Sequence, residues 1–174
     1  MNKVSRMIRD VRIVYGYKLF SFFGIAVLIS LPSIFRTDTG ALKSVYSNTV
    51  GFFTALIVIE IAFFGIFYSG SQINKEAKDK LFNKKENMTY YQRLLVKNYH
   101  SIFIKFSTVF IAYLFQMYNI MEIYKKIKPF ENNSFLLDLE ISIGVYYLFY
   151  VLAIYSIIVT LDLVTTVYYF LWRS

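Results

Sequence analysis

Four unbroken apolar runs, residues 19–35, 50–69, 102–121 and 141–161, constrain this 174-residue chain more than anything else in it. At ~1.5 Å per residue each comes close to the ~30 Å thickness of a bilayer's hydrocarbon core. No water is present there to satisfy peptide groups, so each run is expected to be a helix whose backbone pairs within itself. Hydrophobic residues make up 57% of the chain, and they come in blocks rather than in the alternating or amphipathic patterns of a soluble domain. The sequence therefore predicts an all-α, polytopic membrane protein: one domain over residues 1–174 with four transmembrane helices. The first run follows a basic leader, as a signal peptide would. It is longer than an ordinary signal core, however, and ends Leu31-Pro32-Ser33-Ile34-Phe35-Arg36 without a small-residue cleavage site. It is expected to be an uncleaved first span.

The basic residues orient the bundle. Lys3, Arg6, Arg9, Arg12 and Lys18 precede the first run, and Lys75, Lys78, Lys80, Lys84, Lys85, Arg93 and Lys97 lie between the second and third. With Arg173, they place 13 of the 19 basic residues on one side of the membrane, against five on the other: Arg36, Lys43, Lys125, Lys126 and Lys128. The positive-inside bias then puts both termini and the 70–100 connection in the cytoplasm. Tyr15, Tyr17, Tyr46, Tyr68, Tyr99, Tyr124 and Trp172 fall where interfacial aromatic belts belong.

Three inner segments offer surfaces to partners. Residues 1–18 are basic and amphipathic: Val4, Met7, Ile8, Val11, Val14 and Tyr15 follow helical spacing, with Arg6, Arg9 and Arg12 beside them. Such a helix can lie along anionic headgroups. The 70–100 connection reads as a basic helical hairpin. Residues 72–82 continue the second span, residues 83–87 form a turn, and Thr89 with Gln92 forms a capping box that opens a helix into the third span. Residues 162–174 extend the fourth span, and Tyr168, Tyr169 and Trp172 supply an aromatic docking or anchoring tail. Anionic lipid and a cytosolic protein fit these surfaces. No fold motif or aromatic-basic platform supports direct binding of nucleic acid.

The charges inside the spans are the candidate site. Glu60 sits near the middle of the second run, where an ionised carboxylate costs at least ~2.5 kcal/mol. It must be protonated, paired or open to water. Gly51, Ala55, Ala62, Gly65 and Ser69 form a small-residue stripe suited to close helix packing. Glu60 points about 140° away from Ala55 and Gly65. Its own face carries Phe53, Leu56, Ile57, Phe63, Phe64 and Phe67, which implies a second interface with another helix or another subunit. Three readings follow: a carboxylate ring in an oligomeric pore, a proton-sensitive switch tuned by burial, or a hydrogen bond to Tyr113, Gln116 or Asn119 of the third span. Lys105 and Asp162, toward the inner ends of the third and fourth spans, form a candidate ion pair, although Lys105 is also placed to snorkel alone.

Enzymatic chemistry finds no motif. There is no Gly-rich phosphate loop, no catalytic carboxylate pair, no nucleophile–His–acid set and no metal-ligand spacing. The chain has no Cys, and His100 is its single His, read as a polar residue at the membrane surface. No cofactor or metal is expected.

The four spans, the small size, the inside termini, the Lys18 to Phe35 lead-in and the basic inner connection resemble the membrane subunits of Kiwa antiphage defence systems. The resemblance implies a homo-oligomeric, multi-pass protein of the bacterial inner membrane. Such a protein would sense infection at the envelope and act with a cytosolic DNA-binding partner. The residues themselves leave three functions open: a non-enzymatic sensor or scaffold, an ion channel with Glu60 in its lumen, and a membrane immunity protein against a toxin or bacteriocin.

Overall fold

The computed structural model describes residues 3–35, 39–69, 80–83, 87–117 and 147–173, with the side chains of 5–33, 45–65, 80–83, 87–114 and 147–169. The described chain is mostly helical. Helix α1 (Lys3–Tyr15) and helix α2 (Lys18–Ser30) meet at a bend of 83°. Gly16 makes that bend. Its φ of +52° is left-handed, and its N–H caps the carbonyl of Arg12 at 2.8 Å, which ends α1 as a glycine C′ position commonly does. A 3₁₀ turn, Leu31–Phe35, extends α2 and contains Pro32. Together, helix and turn reach ~30 Å. The Ser30 and Ser33 hydroxyls donate to the carbonyls of Ala26 and Ser30, both at 2.7 Å, so neither is left unsatisfied in an apolar setting.

Helix α3 (Thr39–Ser69) runs for 31 residues. Strands β1 (Leu81–Asn83) and β2 (Met88–Thr89) then pair antiparallel, with Leu81 opposite Thr89 and Asn83 opposite Met88. Helix α4 (Tyr90–Met117) starts on the predicted capping box. The Thr89 N–H donates to Gln92 Oε1 at 2.9 Å, and the Gln92 N–H donates to Thr89 Oγ1 at 3.2 Å. Helix α5 (Leu148–Arg173) closes the described chain. The segments Val45–Gly65 and Leu148–Tyr169 are long and apolar enough to cross a membrane; counting the bent α1–α2 pair as one span gives three among the described residues.

Helix α4 is the centre of the packing. It lies between α3 and α5, α5 in turn packs on α2, and α1 crosses the N-terminal half of α4. Phe64, Leu94, Leu163 and Val167 join α3, α4 and α5 at the basic end of the bundle. Ala26, wholly buried, lets α2 approach Val151, Tyr155 and Val159 of α5 closely. Val14 and Tyr15 bury against Met88, which ties α1 to the hairpin. Burying Val14 alone contributes ~1.5–3 kcal/mol relative to leaving it in water.

Four expectations need correction. Leu81 and Phe82 are strand, not the end of a helix running on from the second span; residues 70–79 and 84–86 lie outside the described set. The apolar stripe of α1 is only partly free for lipid. Val11, Val14 and Tyr15 pack inside the protein, while Met7 and Ile8 remain exposed. Tyr15 and Tyr46 are core residues rather than belt residues, whereas Tyr17 and Tyr99 are exposed. Finally, the small-residue stripe of α3 is not the packed seam. Gly51, Ala55, Ala62 and Gly65 are exposed, and a Cβ added at Gly51 or Gly65 would meet nothing within 4 Å. The buried face of α3 is instead Tyr46, Phe53, Glu60 and Phe64. Those large side chains gain more dispersion contact against α4 and α5 than glycines would, as Tyr46 does edge-on to Phe149.

Candidate functional site: a polar seam along α4

Arg93, Lys97, Ser101, Lys105 and Thr108 recur every three or four residues, so one face of α4 is polar for ~22 Å. That face points into the protein. Lys97 is 2% exposed, Ser101 1%, and Lys105 and Thr108 are fully enclosed. Lys97, Ser101, Lys105 and Thr108 each meet a polar partner on a neighbouring helix, whereas the buried Arg93 Nε makes no hydrogen bond among the described residues.

The deeper of two clasps links α4 to α3. Lys105 Nζ donates to Glu60 Oε1 and also to Ser101 Oγ at 2.5 Å, while Ser101 Oγ donates to the same Glu60 oxygen at 3.1 Å. The other carboxylate oxygen, Oε2, is buried and accepts no hydrogen bond among the described residues. The shallower clasp, two turns or ~12 Å nearer the start of α4, links it to α5. Lys97 Nζ donates to Asp162 and to Thr166 Oγ1, the latter at 2.7 Å. The Thr166 hydroxyl in turn donates to the Asp162 carbonyl at 2.7 Å. Farther along the seam the Thr108 and Ser156 hydroxyls meet at 3.0 Å.

Around the shallow clasp the aromatic groups form a collar. His100 Nε2 lies 3.1 Å from the Tyr155 hydroxyl, and its ring packs against Tyr15 with centroids 5.1 Å apart. Burial pushes the His100 imidazole down to about 4, so it is neutral at physiological pH. Burial also raises the Tyr15 phenol, with the Asp162 carboxylate adding to the effect. Lys97 has its ammonium 5.4 Å from the Tyr15 ring centroid. Its pKa is lowered by burial, against the opposing hydrogen bond to Asp162. The Arg93 guanidinium stacks 4.2 Å over Phe82, fastening the hairpin to α4.

The candidate residues read from sequence are redistributed by this geometry. Glu60 and Lys105 come together; the expected Lys105–Asp162 pair does not form, because Asp162 meets Lys97 at the level of the hairpin. Glu60 does reach the third apolar run's helix, but at Ser101 and Lys105. Tyr113, eight residues beyond Lys105, is half exposed, while the side chains of Gln116 and Asn119 lie outside the described set. Lys97 is a core residue, not part of a surface for partners, and Arg93 is half-buried. Arg6, Arg9, Arg12, Lys80, Tyr168 and Tyr169 are exposed. Lys75, Lys78, Lys84, Lys85 and Trp172 lie outside the described side chains. The collar of Tyr15, His100 and Tyr155 was missed. The signal for the seam was present in the four-residue spacing of Arg93, Lys97, Ser101 and Lys105, which a topology count treats only as charge. Among the described residues, no cluster of three or more His, Asp or Glu could hold a metal ion.

The class these observations define is a helical bundle with membrane-compatible helices and an interior zipped by paired charges. No family model matches the chain, and neither a curated protein nor a solved structure does.

Proposed function

We propose that the chain is a non-enzymatic, four-span subunit of a bacterial inner membrane, with both termini in the cytoplasm, that oligomerises and scaffolds or signals to a cytosolic partner in antiphage defence. One observation carries the reading: the interior charges are spent on each other. Glu60 with Lys105, and Lys97 with Asp162, are intramolecular clasps rather than groups offered to a substrate or a lumen. What the protein displays outward is apolar side chains on its long helices, such as Phe20, Ile59, Phe106 and Leu161, together with a cationic end at Arg6, Arg9 and Arg12. The best-attested use of buried pairs of this kind is to fix the register of helices. The outward faces suit lipid and neighbouring subunits.

The basic connection and the Tyr168–Tyr169 end of α5 are the surfaces for the cytosolic partner, a DNA-binding protein on the Kiwa reading. The test is co-purification of the tagged chain with the product of an adjacent reading frame. Reversing Lys78, Lys80, Lys84 and Lys85 to Glu is expected to release that partner; undiminished binding would contradict docking there. Protection against a membrane-active toxin, with phage sensitivity unchanged, would assign the chain to immunity instead.

A further inference from the structure

We propose that the groove between α1 and α4 is a binding site for one anionic glycerophospholipid of the cytoplasmic leaflet. The inference rests on the membrane-spanning reading above. The groove has a volume of about 1010 Å³, the size of a small-molecule site, and the bend at Gly16 creates it by laying α1 across the start of α4. Its two walls differ in chemistry. Arg6 and Arg9 of α1 stand at the rim, where Arg6 makes no ion pair among the described residues and Arg9 has only a 3.5 Å contact to its neighbour Asp10. The floor is a single stripe of α4, Val96, Tyr99, Phe103 and Phe106, at spacings of three and four residues. Tyr99, Phe103 and Phe106 are 61%, 56% and 63% exposed, so the stripe lies open beyond Val96, which packs against Val14, Tyr15 and Met88. It runs ~15 Å along α4 from Val96 to Phe106, and its last turn, with Phe103 and Phe106, lies inside the third apolar run.

A cationic rim beside an aromatic track that leads into the third apolar run is complementary to an amphiphile with a phosphate head and an acyl tail. A zwitterionic lipid would satisfy the track but gain nothing net from the rim. A soluble phosphate would engage the rim and leave the aromatic stripe bare. The lipid would also brace α1 against α4, the contact that holds Tyr15 over His100.

The experiment is native mass spectrometry of the full-length protein in detergent, titrated with phosphatidylglycerol or with phosphatidylcholine. The first phosphatidylglycerol is expected to bind more tightly than phosphatidylcholine. Each rim arginine contributes about fivefold, so R6Q/R9Q should weaken phosphatidylglycerol binding about 25-fold and leave phosphatidylcholine unchanged. F106Q should weaken both lipids, and R12Q, exposed on the same helix but outside the groove, should weaken neither. Equal binding of the two lipids, or an R12Q loss matching that of R6Q, would overturn the site in favour of diffuse charge. Displacement of the bound lipid by inorganic phosphate would overturn it in favour of a soluble anion. Fractionation of the same preparations separates the two claims: wild-type protein that needs membranes or detergent yet shows no lipid preference refutes the groove alone.

Discussion

Removing the ammonium of Lys105 should do more damage than any surface substitution in this protein. Lys105 is fully enclosed, and Glu60, its partner, is 8% exposed. The variant K105M keeps the volume and apolar stem but leaves the Glu60 carboxylate with only the Ser101 hydroxyl. Stranding one member of a buried pair costs ~3–5 kcal/mol. At ~2–4 °C per kcal/mol for a chain of this size, the melting temperature should fall by ~6–20 °C. The complementary double variant, E60L/K105M, removes both charges and should recover most of that loss, because a well-packed apolar replacement of a buried pair is often neutral or stabilising. The assay is thermal unfolding of the purified protein in detergent, followed by far-ultraviolet circular dichroism as a double-mutant cycle. A K105M variant as stable as R12Q, or a double variant whose loss equals the sum of the singles, would refute the clasp. The Lys97–Asp162 clasp lies ~12 Å away along α4 and should add independently.

Three further outcomes follow from the geometry. His100 titrates near 4 in the folded protein against ~6.5 unfolded, so its contribution is complete above pH ~6.5 and drains away as the pH falls toward 4. Wild type should therefore lose more melting temperature between pH 7 and pH 4.5 than H100Q does; parallel losses would mean His100 is solvated. Removing the capping hydroxyl in T89A should cost ~0.5–2 kcal/mol and raise hydrogen exchange in the first turn of α4, with the rest of that helix unchanged. G16A forces a Cβ into a left-handed backbone at the α1–α2 bend and should cost ~1–2 kcal/mol of stability; a neutral result would argue against the 83° turn.

What was legible in the sequence was whatever short-range chemistry encodes. The apolar runs announced helices α2, α3, α4 and α5 because unbroken apolar stretches of that length pair their backbone within themselves. The Thr89–Gln92 box announced the start of α4 because both partners lie within one turn. Glu60 stood out because a carboxylate in an apolar run must be resolved somehow. What was not legible was register between helices. Glu60, Lys105 and Asp162 carry no mark of depth relative to one another, and a slip of two turns exchanges Lys105 for Lys97 as the partner of Asp162. The packed face of α3 was misread for a related reason. Small residues permit close approach without requiring it, and Phe53 and Phe64 bury more surface in the bundle than Gly51 or Gly65 could. The β1–β2 pairing was not legible because Leu81–Asn83 and Met88–Thr89 are too short for a period to show; only the turn over 83–87 between them was, and Asn87 in it is left-handed.

The account depends most on a chain that crosses the membrane with its basic end inside. The protein has no native cysteine, so a single cysteine placed at Lys84 reports without background. An impermeant maleimide applied to intact spheroplasts should leave that cysteine unlabelled and modify it only after the membrane is opened, whereas a cysteine at Thr37 should label at once. Labelling at position 84 in sealed spheroplasts would contradict the orientation and, with it, the proposed lipid site and partner surface.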